Sequence, residues 1–399
     1  MNVEHSLLGS MSSALATPLP RVLRPKRALP ADSVRPTRAE VNLANLRHNL
    51  RVVQRHAGNS QVWAVLKADG YGHGSKAIAR TLERAGVKGI CVALLEEGVE
   101  LREAGIKLPI LVMGGYYGRA HGELLRHDLI PVVSDLDQVE ALAEEVRFTG
   151  SEAARVHLKV DTGMARLGAL PKDVRKIAEV LSLRPELKLH GLMTHFACAD
   201  SGDPESIAAQ LALFDGASQD LASLGLVPEV RHAANSAALL SHAPSCLDIV
   251  RSGIALFGVA PGQVACPELR PVMSVKSELI SVRELSAGQG VGYGWTWKAT
   301  RESRIATVPM GYADGLSRGL SNKGHVLVRG KRAPIVGVVS MDMTMIDVTE
   351  IAGVELGDEA VLMGPQKGLL GEDCISAAEI AQHLGTIPLT ELDANRFRE

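Results

Sequence analysis

The sequence predicts an α/β chain in two parts. A (β/α)8 barrel of the TIM type is expected over residues 34–268, and a mostly β domain over 269–399. Three observations carry this reading. Short apolar runs alternate with amphipathic stretches from about residue 60 to 250, and the alternation stops near residue 270. Beyond that point strand-like segments succeed one another directly. Buried parallel strands read as continuous apolar runs, whereas helices repeat every 3.6 residues.

The apolar runs fall at 62–66, 89–93, 109–113, 130–134, 156–160, 189–194, 230–233 and, less clearly, 247–250. Helical patterns lie between them at 76–85, 96–104, 136–146 and 173–183. Eight strand–helix units suggest a closed barrel. An open doubly wound sheet is the alternative, because counting units does not prove closure. In the second part, segments at 272–285, 304–308, 326–329, 333–339, 345–348 and 359–363 read as strands separated by Gly- and Pro-containing turns. One late helix is expected near 376–384, with Ser376 as N-cap and Glu379 at the third helical position.

Composition narrows the function classes. A length of 399 residues suits two domains. The net charge of −2, without a long basic run, argues against nucleic acid or an anionic membrane as partner. No apolar stretch approaches the roughly 20 residues of a membrane span. Cys91, Cys198, Cys246, Cys266 and Cys374 are scattered, odd in number and without CxxC spacing. They argue against a disulfide framework or a zinc site and fit a reducing, cytoplasmic compartment. Residues 1–33 carry Pro18, Pro20, Pro25 and Pro30 and a basic cluster. They read as a disordered extension rather than a signal peptide, since the segment 7–16 is interrupted by Gly9, Ser10, Ser12 and Ser13.

Unusual residues recur where the strands end, which in a barrel is where functional groups gather. The first run ends in Lys67. Taken alone, such a lysine usually caps a strand at the surface, but it can also form a Schiff base with an aldehyde. Its neighbours favour the second possibility. Residues 66–74 are Leu-Lys-Ala-Asp-Gly-Tyr-Gly-His-Gly, and three glycines before a helix allow backbone amides to approach an anion.

Together with Arg-Pro-Thr-Arg-Ala-Glu at 35–40, this stretch resembles the signature of alanine racemases, and more broadly of barrel-type pyridoxal-phosphate enzymes. The resemblance runs from about Arg35 to Thr386. It implies that Lys67 holds pyridoxal 5'-phosphate as a Schiff base and that Tyr71 contacts the phosphate. Residues 157–168, His-Leu-Lys-Val-Asp-Thr-Gly-Met-Ala-Arg-Leu-Gly, match a second motif. There the resemblance puts Arg166 on the cofactor phenolate and the substrate carboxylate, and Lys159 where many members carry a carbamylated lysine. His195 would lie beside the cofactor ring, although a lone histidine there is more often packing. Asn235 and Ser236 read alone as a helix cap, and by resemblance as cofactor-binding, with Ser236 on the phosphate. The resemblance places Arg251 against the pyridine nitrogen, and the Gly253 and Ile254 amides at the phosphate. An arginine only donates, so the pyridine stays unprotonated and the ring is a weaker electron sink, which suppresses transamination.

In the second part, the resemblance implies Tyr293 as a second base, and Tyr312 and Met341 as contacts to the substrate. The implied activity interconverts L- and D-alanine, with Lys67 serving D-alanine and Tyr293 serving L-alanine from the partner of a head-to-tail homodimer. The product would supply peptidoglycan synthesis. Two alternatives share part of the pattern. A barrel-type amino-acid decarboxylase is disfavoured by Arg251, and a non-catalytic pyridoxal-phosphate carrier by the second domain. One departure stands out: residues 386–391 are Thr-Ile-Pro-Leu-Thr-Glu, with Leu389 where the family carries a phosphate-binding tyrosine. Weaker cofactor retention and better admission of serine are expected from it.

Overall fold

The computed structural model describes residues 34–114 and 120–388. The expected extension at 1–33, and Leu389, lie outside the described residues. A short first strand, β1 (Arg38–Val41), leads into a helix, Leu43–Ala57, capped by the Asn42 side chain. Eight parallel strands come next: β2 (Gln61–Val65), β3 (Gly89–Val92), β4 (Ile110–Val112), β5 (Ile130–Val133), β6 (Ala154–Lys159), β7 (Leu187–Met193), β8 (Val230–His232) and β9 (Ile249–Ser252). Their order is β9-β2-β3-β4-β5-β6-β7-β8. At the seam between β8 and β9, Asp248 N–H donates to the Arg231 carbonyl and Arg251 N–H to that of Ala234, each at 3.0 Å. The sheet is thus a nearly closed barrel, and the open-sheet alternative falls away.

The central strands are wholly apolar and buried, as in Ile90, Cys91, Val92, Ile110, Leu111 and Val112. Helices cover them on the outside. Asp135 caps the helix Leu136–Thr149 by accepting from Gln138 N–H, and Asp203 caps Pro204–Ser223 by accepting from Glu205 and Ser206 N–H. Inside the barrel, strand register sets which residue faces which. Gly89 stands opposite Trp63, and a Cβ at residue 89 would lie 2.4 Å from the indole.

The second part is built from β10 (Met273–Glu278), β11 (Ser281–Leu285), β12 (Gly290–Val291), β13 (Trp297–Lys298), β14 (Ser303–Val308), β15 (His325–Val328), β16 (Lys331–Pro334), β17 (Thr344–Asp347), β18 (Glu359–Gly368) and β19 (Gly371–Ile375). All its strand pairs are antiparallel. One sheet has the order β1-β10-β18-β15-β16 with β19 on β18, and a second has β11-β14-β17.

Three details differ from the sequence reading. The segment expected at 272–285 is two strands in two sheets. At the crossing, Leu279 N–H bonds the Asp358 carbonyl and Ile280 N–H that of Thr307. The segment expected at 333–339 stops as a strand at Pro334. Lastly, β1 precedes the barrel in sequence but pairs with β10, Arg38 opposite Lys276. The late helix forms at Ala377–Leu384, and Ser376 Oγ accepts from Glu379 N–H at 3.1 Å. No helix among the described residues is long and apolar enough to cross a membrane.

Two glycine substitutions test this packing. Gly89→Ala should destabilise by about 1–3 kcal/mol through overpacking against Trp63. Gly216→Ala, within the helix Pro204–Ser223 and with open space around its Cβ position, should be neutral or stabilise by up to about 1 kcal/mol. Urea denaturation of both variants checks the contrast.

Candidate active site

The carboxyl ends of the barrel strands surround a cavity of about 520 Å³, lined by Lys67, Tyr71, Lys159, Arg166, His195, Asn235, Ser236, Arg251, Gly253 and Ile254 among others. All ten were expected at the site from the sequence.

Lys67 succeeds β2 and begins an unusual turn. Ala68, Asp69, Gly70 and Tyr71 all have φ between 51° and 64° and ψ between 43° and 54°, one turn of left-handed helix. Each non-glycine residue there costs roughly 1–2 kcal/mol, so the surroundings must hold the turn. Glu97 does so. One carboxylate oxygen accepts from Ala68 N–H at 2.6 Å, and the other from Ala93 and Leu94 N–H at 2.8 and 3.1 Å. One side chain thereby ties the Lys67 turn to the end of β3. Asp69 accepts from Ser75 N–H at 2.7 Å and secures the exit. The lysine amine ends 5.8 Å from the Tyr71 ring centre.

Across the barrel lies a cradle of small and hydroxylic groups. Ser236 Oγ accepts from Gly253 N–H at 2.9 Å, and Asn235 caps the turn that carries Ser236. A Cβ at residue 253 would lie 2.4 Å from the Tyr71 hydroxyl, so glycine is what lets the phenol approach this backbone. Hydroxyls and main-chain amides at a helix start suit a phosphate.

Arg251 sits at the centre and is only 2 % exposed. Its Nη1 donates to His232 Nδ1 at 2.8 Å and to the His232 carbonyl at 3.1 Å. Its Nη2 donates to the Thr194 and Ala233 carbonyls at 2.7 and 3.0 Å and to His195 Nδ1 at 3.3 Å. Burial draws the guanidinium down to about 10, still charged at neutral pH. His195 is pushed down to about 3, by burial first and then by Arg251, Arg166, Lys159 and Lys67. It is therefore a neutral ring among four cations.

Lys159 ends β6 and is 6 % exposed. Burial, then Arg166 and Arg251, draw its amine down to about 8, against the pull of Asp161. Arg166 stands on a loop shaped by Asp161, whose Oδ1 accepts from Gly163, Met164 and Ala165 N–H at 2.8–3.1 Å.

Tyr293, Tyr312 and Met341 are not brought to this cavity within the chain. They are surface residues of the second domain, and Tyr293 is 74 % exposed. Trp295 and Met343 are exposed as well. Sequence reasoning missed Glu97, whose signal was an acid at the third helical position after Leu94. It also did not single out His157 and His232 as buried partners of the site.

Fold and site together define a barrel that presents a lysine amine and a cradle of hydroxyls and main-chain amides at its carboxyl end. Residues 41–261 match the family model described as the alanine racemase N-terminal domain, and residues 272–394 that of the C-terminal domain. An alanine racemase of Sorangium cellulosum is 58 % identical over 360 residues, covering 89 % of this chain and 95 % of that protein. A solved alanine racemase from Streptomyces coelicolor superposes with a TM-score of 0.85 at 36 % identity, covering 91 % and 96 % of the two chains. Another, from Bartonella henselae with covalently bound pyridoxal phosphate, gives 0.82 at 28 % identity over 91 % and 98 %. The chain belongs to the alanine racemase family.

The neutral buried histidines make stability depend on pH. His73 is pushed down to about 4 by burial, and His157 and His232 also lie far below their ordinary value. In the unfolded chain all of them, with His195, titrate near 6.5. Below that value the unfolded state binds more protons, so the stabilisation is complete above about pH 6.5 and is lost as pH falls toward 4 and 3. Each such histidine should add a slope of up to about 1.4 kcal/mol per pH unit. Urea midpoints between pH 7.5 and 5.0 should fall steeply; a flat profile would contradict the neutral state.

Proposed function

We propose that the chain is an alanine racemase that uses pyridoxal 5'-phosphate. The observation that carries this is Lys67, Lys159, Arg166 and Arg251 around one cavity with a hydroxyl and amide cradle. Such a site suits a ligand with a phosphate, a reactive carbonyl and a substrate carboxylate. When bound, pyridoxal phosphate draws electrons from the substrate's α-carbon and makes its proton removable.

Lys67 Nζ would hold the cofactor. The Tyr71 hydroxyl, Ser236 Oγ and the Ile254 amide would bind its phosphate, with Asn235 fixing Ser236 in place, and the Gly253 N–H, which donates to Ser236 Oγ in this structure, would turn to the phosphate. Arg251 has used both Nη groups, and its Nε–H has no hydrogen bond among the described residues, so it would be the donor for the ring nitrogen. His195 would pack beside the ring, and Arg166 would orient the phenolate oxygen and the substrate carboxylate, a task suited to a guanidinium fork. Once the substrate amine has displaced it, the freed Lys67 amine would take or return the α-proton on one face, serving D-alanine.

The other face needs a second copy. Exposed Tyr293, Trp295, Tyr312, Met341 and Met343 are large apolar side chains on the second domain. Exposed apolar groups suit an interaction surface where they gather into a patch. In a head-to-tail homodimer, Tyr293 of the partner subunit serves L-alanine, and the partner's Tyr312 and Met341 bound the substrate. A cytoplasmic location belongs to the same reading and is supported by five unpaired cysteines.

Two experiments test the proposal. Purified protein should racemise L-alanine, followed by optical rotation. Lys67→Ala and Tyr293→Phe subunits, each inactive alone, should regain activity when mixed, because one site per heterodimer is intact. Proven heterodimers without activity would remove the shared site.

Lys159 generates a separate expectation. An amine drawn down to about 8 beside a cation is partly neutral at physiological pH and open to carbon dioxide. Carbamylation turns its repulsion of Arg166 into attraction. Protein exchanged into ¹³C-bicarbonate should show one slow-exchanging carbamate signal that is lost in Lys159→Ala; no such signal would leave Lys159 an ordinary amine.

A further inference from the structure

Behind Arg251, three histidines form a continuous line across the barrel. Arg251 Nη1 reaches His232 Nδ1 at 2.8 Å, His232 Nε2 reaches His157 Nδ1 at 2.8 Å, and His157 Nε2 reaches His190 Nδ1 at 2.9 Å. His190 Nε2 then stands 3.7 Å from Glu229 Oε2. The four residues come from β9, β8, β6 and β7 in that order. Glu229 immediately precedes β8, so the line runs from the cavity toward the amino ends of the strands. His157 and His232 are fully buried, whereas Glu229 is exposed. Gly191 makes room for the line: it lies opposite His157, and a Cβ there would be 2.6 Å from the imidazole.

We propose that His232, His157 and His190 form a directed hydrogen-bond chain that couples the protonation of His190 to the Arg251 guanidinium, making His190 a positioning residue for the arginine of the cavity. The direction is set by donor chemistry. A guanidinium only donates, so His232 Nδ1 must accept. A neutral ring then carries its proton on Nε2 and donates it to His157 Nδ1. The same logic puts the next proton on His157 Nε2, donated to His190 Nδ1, and the last on His190 Nε2 toward Glu229. One residue without an acceptor thus fixes three tautomers.

Protonating His190 from solvent makes its Nδ1 a donor. It then opposes the His157 Nε2–H, which has two possible results. The 157–190 bond breaks and leaves a buried donor unpaired, or the tautomers of His157 and His232 reverse. Reversal sets His232 Nδ1–H against Arg251 Nη1–H. Reversal therefore carries a proton taken up at the far end of the barrel to the arginine. The groups facing His190 are Glu229, which favours its charged form, and Arg155 and Lys188, which oppose it together with burial; His157 is its inner neighbour. Burial first, then Arg155 and Lys188, hold His190 below the ordinary histidine range against the pull of Glu229, so the chain is intact at neutral pH and interrupted on acidification.

The consequence for catalysis rests on the reading of Arg251 as the cofactor's ring partner; the chain itself does not. The holoenzyme labelled with ¹⁵N-histidine and ¹⁵N-arginine tests it by NMR. At pH 7.5, His157, His190 and His232 should all be neutral Nε2–H tautomers. On acidification, the Arg251 guanidinium signals should shift with the same midpoint as His190. Glu229→Gln should move that midpoint to lower pH by a few tenths of a unit. His190→Gln, which keeps an acceptor but does not titrate, should abolish it. An Nδ1–H tautomer at His157 or His232, or an unchanged Arg251 titration in both variants, would overturn the proposal. Tautomers are read without turnover, so failure of racemisation leaves this test standing. Conversely, racemisation with the wrong tautomers removes the relay alone.

Discussion

A positive charge buried among parallel strands sets the terms for the rest of this molecule. Among the described residues Arg251 has no carboxylate against it; its hydrogen bonds go to three carbonyls and two imidazole nitrogens at the ends of β7 and β8. Removing such a charge from water costs several kcal/mol unless its donors are met. Parallel strands supply the acceptors, because their last carbonyls point outward past the end of the ladder. The arrangement has a further demand. Every nitrogen that meets the guanidinium must accept, so His232 and His195 are kept neutral. Lys159, which shares the cavity, is drawn down by burial first, then by Arg166, and further by this cation.

The Lys67 turn works by a different constraint. Four successive left-handed residues are held by side chains distant in sequence, Glu97 from the next strand–helix unit above all. Backbone strain of this kind persists only where the surroundings over-determine it. Here it fixes both ends of one short segment, the amine at residue 67 and the phenol at residue 71. The two functional ends are therefore positioned together.

The barrel is legible in the sequence because its strands are buried on both faces and read as unbroken apolar runs. The cavity residues are legible mainly through resemblance, since a strand-ending lysine or an Asn-Ser pair has an ordinary structural meaning. What escapes is non-local. The split of residues 272–285 depends on partners near 307 and 358, and neither is visible in the segment itself. The role of Glu97 depends on the fold bringing the ends of β2 and β3 together. His157, His190 and His232 are spread over 75 positions and become a line only through strand register. Tyr293 stands out only by resemblance; nothing in its local sequence distinguishes a packed turn from an exposed one.

The pairing of β1 with β10 bears on how the protein is made. Thr37 and Ser277, whose hydroxyls meet at 2.8 Å, are 240 positions apart. At about 5–20 residues per second, the first strand emerges from the ribosome roughly 10–50 seconds before its partner. Throughout that interval the barrel is being completed while β1 has nothing to pair with. A lone strand is a template for unwanted association. This one is four residues long and carries Arg38 and Glu40, which later join Lys276 and Glu359 in a cluster of ion pairs. The charges that anchor the finished sheet are also what keeps the waiting strand in water, and the second domain can close only once nearly the whole chain has been synthesised.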